Sequence, residues 1–487
     1  MRLSALLSPG TTVLGADPAT VGIRSLASDS RRVEPGALFA ALPGTARDGR
    51  TFVGDALQRG AAAVLAASPL AEVEGRAAMV VDPDPRRGLA RIAAAFFGRQ
   101  PRMVAAVTGT NGKTTVAHLV AQIWRSLDVP AASLGTLGLD TGQEREPGGL
   151  TTPDPIDLHR RLRDLALAGI EHLAIEASSH GLDQRRLDGV EVAAAAFTNL
   201  SRDHLDYHGT EAEYFRAKCR LFEALLIDRG VAVLPADQPQ FEPLRRICRE
   251  RSLEVIAYGR SAGRIRLARG RADADGQDLE LVVDGALHAV RLGLSGGFQA
   301  DNLMAALGLA MATGIEPEAA LARVGHLVAP PGRMQRVGRT GAGASIVVDY
   351  AHTPDALERA LKALRDTTSG RLVVVFGCGG DRDPGKRRLM GAVAAARADR
   401  VIVTDDNPRS EDPARIRHAV LEGVPTGEEI ADRRAAIRAG LAGLRSNDTL
   451  LIAGKGHETG QIVGGATLPF DDAAEARAAV QDLAAAP

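Results

Sequence analysis

Residues 103–115 read MVAAVTGTNGKTT, an apolar run followed by a turn that contains two glycines. Met103 to Val107 are typical of a strand buried in a parallel sheet. Beyond the turn, apolar residues recur at helical spacing, at Val116, Leu119, Val120, Ile123 and Leu127. The stretch therefore predicts a strand, a tight loop and a helix, which is the repeating unit of an α/β fold.

The loop from Gly109 to Thr115 has the composition of a phosphate-binding turn. Backbone N–H groups of such a turn, together with the N-terminus of the following helix, bind phosphate oxygens. Lys113 would reach the β- and γ-phosphates of ATP, and Thr114 would bind Mg²⁺. Val107 stands where the full Walker pattern has its first glycine, so a bare tight turn remains an alternative.

The same alternation of strands and helices extends to both sides of this unit. Residues 1–98 read as a small α/β domain, and a hinge around Pro330 and Pro331 precedes a third segment, 332–487. We predict strands at 36–42, 172–176, 192–198, 231–234, 345–349, 371–376, 400–404 and 449–453, and an antiparallel excursion at 264–294. Thr353 and Pro354 have the residue types of a helix N-cap and first helical position. The predicted domains are 1–98, 99–331 and 332–487.

Composition excludes several classes of protein. With 487 residues the chain has room for about three domains. The net charge of −1 gives no overall field for nucleic acid or anionic membrane. The longest apolar runs, such as Ala61 to Ala67, are far shorter than the ~20 residues of a membrane helix. Three scattered cysteines argue against disulfides, so we expect a cytoplasmic protein. We also expect a monomer.

Lysine is rare in this chain. Of 59 basic residues only five are lysines, at 113, 218, 362, 386 and 455. A lysine that persists among so many arginines points to a role that guanidinium cannot fill, as a compact charge or as an amine that loses its proton. Survival by drift is the alternative for any one of them.

Ligands of parallel sheets bind beyond the carboxyl ends of the strands. In the central segment those ends carry the loop at 109–115, Glu176 and His204, which suit a nucleotide and its Mg²⁺. The alternatives are a helix N-cap for Glu176 and an ordinary loop histidine for His204. In the third segment the strand ends carry the loops at 349–352, 377–382, 405–409 and 454–458.

These motifs, in this order, resemble those of the Mur ligases and folylpolyglutamate synthases. The resemblance rests on the 109–115 loop, Thr151-Thr152-Pro153, Glu176 to Leu182, Thr198-Asn199-Leu200, Asp203 to Asp206, and Asp349 to Pro354. It implies an N-terminal UDP-binding domain, a central ATPase domain and a Rossmann-like C-terminal domain. It also implies an ATP-dependent acid–amino-acid ligase of peptidoglycan precursor synthesis.

The resemblance also implies roles for particular residues. Lys113, Lys218 and His204 would be catalytic, and Lys218 would react with CO₂ to give a carbamate that holds a second Mg²⁺. The metal ligands would be Thr114, Glu176, His204 and the Lys218 carbamate. The ATP site would comprise Gly109, Thr110, Asn111, Gly112, Lys113, Thr114, Thr115, Asn302, Arg333 and Asp349. A surface lysine is the alternative for Lys218.

Two further sets concern the substrates. Asp406-Asn407-Pro408-Arg409 resembles the signature of ligases that add meso-diaminopimelate, with Arg409 pairing with the distal carboxylate. Arg382, Gly454 and Glu458 would complete that site. The UDP-N-acetylmuramoyl-L-Ala-D-Glu site would comprise Ser28, Ser30, Thr45, Ala46, Arg47, Thr151, Thr152, Ser178, Gln184 and Arg186. Leu150 replaces an asparagine common in relatives. A solvated loop charge is the alternative for Arg409.

Two other functions remain open at this point. Another Mur ligase, or an enzyme like folylpolyglutamate synthase, would share the phosphate loop. Residues 406–409 and the N-terminal domain argue against it. A nucleotide-gated binding protein would need the loop but neither Lys218 nor the strand-end loops of the third segment.

Overall fold

The computed structural model describes residues 1–44 and 48–485. They form two compact units, the first of 1–44, 48–263 and 305–317 and the second of 264–304 and 318–485. Helices α9 (Gln299–Ala312) and α10 (Pro317–Leu321) each have residues in both units. Mixed α/β structure is confirmed, while the predicted domain boundaries at 98 and 331 remain predictions.

The first unit begins with a small sheet of mostly parallel strands. Its order is β1-β5-β4-β3-β2, with only the β1–β5 pair antiparallel. The elements are β1 (Thr12–Leu14), β2 (Ser25–Ala27), β3 (Ala37–Ala40), α1 (Val53–Gln58), β4 (Ala63–Ala66), β5 (Ala78–Val81) and α2 (Pro85–Phe97). Both faces of β3 and β4 are buried, as expected for parallel strands covered on two sides.

The larger sheet of the first unit carries the phosphate loop at its centre. Strands β12, β11, β6, β10 and β7 run parallel in that order, and the antiparallel β8 and β9 follow β7. The strands are β6 (Met103–Thr108), β7 (Ala131–Gly135), β8 (Gly138–Asp140), β9 (Arg145–Glu146), β10 (His172–Glu176), β11 (Val192–Phe197), β12 (Leu226–Pro235) and β13 (Glu254–Gly259). The helices are α3 (Lys113–Ser126), α4 (Pro155–Leu167), α5 (Ser179–Asp183), α6 (Leu205–His208), α7 (Glu211–Arg220) and α8 (Phe241–Glu250).

Strand register brings three carboxyl ends together in this sheet. Glu176 pairs with Val107, and Phe197 pairs with Thr108. The ends of β10 and β11 therefore flank the end of β6 on either side. The loop after β6 therefore lies at the carboxyl ends of three adjacent strands. Open α/β sheets bind their ligands at this edge.

The second unit contains an antiparallel group and a parallel sheet. The group is β14 (Ile265–Asp273), β15 (Gly276–Val283) and β16 (Ala286–Leu292), as predicted for 264–294. The sheet has the order β17-β18-β22-β19-β20-β21, with β17 antiparallel. Its strands are β17 (Gln335–Arg339), β18 (Ser345–Asp349), β19 (Leu372–Phe376), β20 (Arg400–Val403), β21 (Glu428–Glu429) and β22 (Thr449–Ala453). A hairpin, β23 (Gly460–Val463) and β24 (Ala466–Pro469), follows, and the helices are α11 (Pro354–Arg365), α12 (Gly385–Arg397), α13 (Pro413–Leu421), α14 (Arg433–Leu441) and α15 (Asp472–Ala485).

Several helices begin in the same way, with a capping side chain followed by proline. Thr353 accepts a hydrogen bond from the N–H of Ala356 at the start of α11, which confirms the predicted cap. Asp84, Asp154 and Asp412 cap α2, α4 and α13 likewise. The side chain satisfies a free N–H, and proline fixes the first helical φ. Within the described residues, no helix is long and apolar enough to span a membrane.

Candidate active site

The loop between β6 and α3 depends on a glycine at its first position. Gly109 has φ of 142°, and a Cβ there would lie 1.9 Å from Thr198 Oγ1. Gly112, with φ of 89°, turns the chain into α3 in a left-handed conformation. The loop and the helix N-terminus thus have the backbone arrangement that binds phosphate.

Side chains from the loop after β11 hold this phosphate loop in place. Thr198 Oγ1 donates to the carbonyl of Asn111 at 2.6 Å, and Asn199 Nδ2 donates to the same carbonyl at 3.0 Å. Asn199 Oδ1 accepts from the N–H of Asn111 at 3.1 Å. Thr198 and Asn199 therefore hold the backbone of the phosphate loop at Asn111. The sequence motif alone did not reveal this role.

Lys113 is the first residue of α3, and its side chain folds back over the phosphate loop. Its Nζ donates to the carbonyls of Gly109 at 3.0 Å and Thr110 at 2.8 Å. The ammonium group is thereby kept beside the loop where a phosphate would sit. This position agrees with the expectation that Lys113 acts on phosphate charge.

Glu176 forms a buried oxygen-rich cluster with two threonines. Thr114 Oγ1 donates to its carboxylate at 3.0 Å. The N–H of Thr136 donates at 2.8 Å and its hydroxyl at 3.2 Å. Glu176 ends β10, and the capping residue of α5 is Ser178, so the N-cap alternative for Glu176 is wrong.

These residues fit a magnesium ion by their chemistry. Mg²⁺ prefers oxygen ligands and binds through one or two carboxylates together with nucleotide phosphates. Thr114 and Glu176 supply a hydroxyl and a carboxylate. The contact of Thr136 with Glu176 was not predicted from the sequence. Within the described residues no group of three histidine, cysteine or acidic side chains could hold a metal by itself. A magnesium ion here would thus depend on phosphate oxygens as well.

Lys218 is buried beneath the phosphate loop, with 1% of its surface exposed. Its Nζ donates to the carbonyl of Gly109 at 2.8 Å and lies 4.1 Å from the centre of the Tyr214 ring. The Tyr214 hydroxyl donates to Thr110 Oγ1 at 3.2 Å. Burial, and to a lesser degree Lys113, lowers the pKa of Lys218 well below its usual value. The surface-lysine alternative is therefore wrong.

His204 belongs to an aromatic cluster next to this loop. Its ring lies 4.9 Å from that of His180, and His180 packs 4.1 Å from Tyr207. Nε2 of His204 lies 3.5 Å from the carboxylate of Asp203. Burial lowers the pKa of His204, while Asp203 acts against that shift. The role of His204 as a metal ligand remains a prediction.

Four residues predicted to bind the UDP-peptide gather around α5. Thr152 is fully buried and its hydroxyl donates to the carbonyl of Glu176 at 2.7 Å. Ser178 Oγ donates to Thr152 at 3.1 Å, and Arg186 donates to the Thr152 carbonyl at 2.7 Å. Gln184 accepts from Arg186 at 2.7 Å. The Thr152 hydroxyl is thus engaged inside the protein, and the contact of this residue with the UDP-peptide remains a prediction.

The remaining residues of that set are less closely grouped. Thr151 shares a hydrogen bond of 3.0 Å with Thr136, beside the Glu176 cluster. Ser28 is exposed after β2, whereas Ser30 is buried. Leu150 is 55% exposed. Thr45, Ala46 and Arg47 lie outside the described residues.

In the second unit, the loops after β20 and β22 meet. Asn407 Nδ2 donates to a carboxylate oxygen of Glu458 at 2.7 Å, and the N–H of Ile462 donates to Asn407 Oδ1 at 2.9 Å. Asp406 is buried, and burial raises its pKa, against the effect of Arg433 and Lys455. The structure thus brings Asp406, Asn407 and Glu458 together, with the buried Pro408 next in the chain.

Arg409 is half-buried, and both its side chain and its backbone make hydrogen bonds to other segments of the second unit. Its Nη1 donates to the carbonyl of Gly380 at 2.7 Å. Its N–H donates to Ile462 at 3.0 Å, and its carbonyl accepts from Gly464 at 2.7 Å. The guanidinium group uses one N–H for the bond to Gly380. The forked arrangement of guanidinium N–H groups suits a carboxylate. These contacts argue against a merely solvated loop charge.

The other predicted residues of the second unit lie in neighbouring loops. Arg382 is exposed and donates to the carbonyl of Asp381 at 3.0 Å. Gly454, with φ of 112°, leaves room for the Asp406 carboxylate, which a Cβ there would approach to 2.5 Å. Its left-handed backbone is one that glycine adopts without strain.

The residues expected on the adenosine side form two groups. Arg333 lies 4.8 Å from the centre of the Tyr350 ring, and Asp349 accepts from the N–H of Met334 at 2.7 Å. Burial raises the pKa of Asp349, and the charge of Arg333 opposes the shift. Asn302 donates instead to Gln299 on α9 at 2.8 Å.

The sequence of the chain matches models of a known protein family. Three family models match the chain: "Mur ligase family, catalytic domain" over 22–97, "Mur ligase middle domain" over 107–310, and "Mur ligase, glutamate ligase domain" over 332–456. The chain belongs to the Mur ligase family.

Three of the similar proteins in the family carry one name. A UDP-N-acetylmuramoyl-L-alanyl-D-glutamate--2,6-diaminopimelate ligase of Chelativorans sp. (strain BNC1) is 50% identical over 463 residues, 95% of this chain and 96% of that protein. A protein of the same name from Caulobacter vibrioides is 49% identical, covering 96% of each chain. A solved structure of a ligase of that name is 37% identical, with a TM-score of 0.73 over 97% of this chain and 98% of that one.

A more distant structure shares the fold alone. The MurF ligase of Thermotoga maritima, solved in complex with ADP, is 20% identical with a TM-score of 0.62, covering 88% of this chain and 93% of that one.

Proposed function

We propose that this chain is an ATP-dependent amide ligase that joins meso-diaminopimelate to UDP-N-acetylmuramoyl-L-alanyl-D-glutamate. The observation that carries the proposal is the strand-end group of Asn407, Arg409 and Glu458 in the second unit. It offers an arginine fork for a carboxylate and a carboxylate for an ammonium group, as the distal end of diaminopimelate requires. The names of relatives about 50% identical over nearly the whole chain support it.

The reaction divides into two steps. The side-chain carboxylate of D-glutamate attacks the γ-phosphorus of ATP, which forms an acyl phosphate and releases ADP. The amine of diaminopimelate then attacks the acyl carbon, and phosphate leaves as the amide forms. The amine must lose a proton before or during this attack.

In this proposal, the chain acts mainly through charge and position. The loop N–H groups and Lys113 stabilise negative charge on the phosphates, where fixed donors have their largest effect. Thr114 and Glu176 would hold Mg²⁺, which when bound neutralises phosphate charge. Thr198 and Asn199 keep the loop in its binding conformation.

Lys218 is proposed to carry a carbamate. Its buried amine has a lowered pKa, so a larger fraction is neutral and able to add to CO₂. The neutral amine forms the new N–C bond and loses one proton, which gives an anionic carbamate; counted from the ammonium form, two protons leave. That anion, close to the carbonyl of Gly109, would hold a second Mg²⁺.

A variant of the phosphate-loop lysine tests its part in this scheme. Replacing Lys113 with alanine is expected to lower kcat by ~10²-fold or more, because a donor to developing phosphate charge is lost. Replacing Thr114 with alanine should instead raise the Mg²⁺ concentration needed for half-maximal rate. Normal ATP turnover by the Lys113→Ala variant in the complete reaction would contradict the assignment.

Identification of the product tests the proposed function itself. The purified chain, incubated with ATP, Mg²⁺, UDP-N-acetylmuramoyl-L-Ala-D-Glu and meso-diaminopimelate, should form one new nucleotide-linked species. Mass spectrometry should place one diaminopimelyl residue on the acceptor, with one ADP released for each product. No product with meso-diaminopimelate, but product formation in parallel incubations with L-glutamate or D-Ala-D-Ala in its place, would support another ligase of the family instead.

A further inference from the structure

Lys455 follows β22 and its side chain has no exposure to solvent. Burying an ammonium group is costly unless its protons reach acceptors. Its Nζ donates to Asn407 Oδ1 at 3.2 Å, to a Glu458 carboxylate oxygen at 3.2 Å and to the carbonyl of Gly460 at 2.6 Å. The three N–H groups of an ammonium match these three acceptors one for one.

The three acceptors come from different segments of the second unit. Asn407 lies in the loop after β20, Glu458 in the loop after β22, and Gly460 opens the hairpin β23–β24. One buried charge therefore joins three segments that local structure does not hold together. Two of its partners are residues predicted to bind diaminopimelate.

Lys455 also determines which way the Asn407 amide faces. An ammonium group can only donate, so the amide atom beside it must be the oxygen. The N–H of Ile462 reaches that same oxygen at 2.9 Å. The amide nitrogen is therefore turned toward Glu458, to which it donates at 2.7 Å.

We propose that Lys455 is a positioning residue for amino-acid selection. It holds Glu458 and Asn407 in the orientation that receives the distal amino group of diaminopimelate, without touching the substrate itself. The inference deepens the proposed function and rests on it. Lys455 was singled out in the sequence only by the scarcity of lysine, and this role supplies a physical reason for its presence.

Arginine cannot take over this role. A planar guanidinium directs its N–H groups outward in a fork, whereas these three acceptors converge on one point. The Lys455 side chain is also completely buried, so the larger guanidinium would have no solvent-exposed space to enter.

The test compares Lys455→Met and Lys455→Arg with Lys362→Met, whose lysine is exposed on α11 of the same unit. Both Lys455 variants should lower kcat/KM for meso-diaminopimelate by ~10²-fold, the effect of misplacing a binding group by about 1 Å. The KM for ATP should stay near that of the wild type. The preference for diaminopimelate over L-2-aminopimelate, which lacks only the distal amino group, should shrink, while Lys362→Met changes none of these values.

A double-mutant cycle with Glu458→Gln separates positioning from other effects. If Lys455 acts through Glu458, the double variant should lose little more than the worse single variant, since coupled residues are not additive. Additive losses would overturn the inference, as would unchanged selectivity in both Lys455 variants. Glu458 is 32% exposed, so water can solvate its charge and the variants should fold.

Folding and function are read separately. Loss of the folded state in both Lys455 variants, seen by circular dichroism, would also overturn the inference, because it would make the residue a structural one. Failure of the proposed function would appear differently, as a wild-type protein that forms no diaminopimelate product.

Discussion

Replacing Lys218 with alanine is expected to reduce turnover by ~10³-fold or more, because a charge that acts on the phosphoryl transfer is removed. Adding a short-chain carboxylate such as propionate should restore part of the rate, since it can occupy the space of the carbamate. Lys218→Arg should be as inactive as Lys218→Ala. Guanidinium stays protonated and cannot add to CO₂.

The measurement is the rate of ADP formation in the complete reaction, with and without added carboxylate. Lys362→Ala is the matched control, because it makes the same substitution at a lysine that is exposed instead of buried. Nucleotide binding, measured in parallel, separates loss of catalysis from loss of the fold. An active Lys218→Arg variant would rule out a required carbamate.

Replacing Arg409 with alanine is expected to remove most of the activity with diaminopimelate. Leaving the substrate carboxylate without its charged partner costs ~2–5 kcal/mol, a factor of ~30 to several thousand in kcat/KM. L-Lysine, which lacks that carboxylate, should lose much less. The ratio of the two kcat/KM values should therefore shrink, while ATP binding remains near that of the wild type.

The comparison of both amino acids in wild type and variant provides its own control. A general defect would lower both rates together and leave their ratio unchanged. An Arg409→Ala variant that keeps its rate and its preference would show that the side chain makes no substrate contact.

Much of the fold could be predicted because parallel strands leave a clear signal in sequence. β10 and β22 were predicted to the residue, and β6 to within one residue, from short apolar runs. The rule that ligands bind at the carboxyl ends of such strands then placed Glu176 and Asn407 in candidate sites. The cap at Thr353 followed from the pairing of a capping side chain with proline.

Other parts of the site depend on long-range contacts that no local pattern records. Thr136 reaches Glu176 because β7 and β10 are neighbours in the sheet, 40 residues apart in sequence. The strands β8 and β9 have three and two residues, too few to show a period. The hairpin β23–β24 is largely exposed, so it has no buried face to reveal it.

Lys455 and Thr152 illustrate what residue type alone cannot decide. Scarcity marked Lys455 as unusual, but its three acceptors come from segments that meet only in the folded chain. Thr152 lies in a motif expected to contact substrate, whereas its hydroxyl is engaged with the carbonyl of Glu176. In both cases the motif predicts the neighbourhood, and the tertiary contacts decide whether a side chain binds substrate or positions others.

The most direct test of the proposed function is the choice of amino acid by the wild-type protein. ADP release is measured with ATP, Mg²⁺ and UDP-N-acetylmuramoyl-L-Ala-D-Glu against meso-diaminopimelate, L-lysine and L-glutamate. We predict that kcat/KM for meso-diaminopimelate exceeds that for either other amino acid by at least ~10²-fold, because only it carries both a distal carboxylate for Arg409 and a distal amino group for Glu458. Equal or faster reaction with L-lysine or L-glutamate would contradict it.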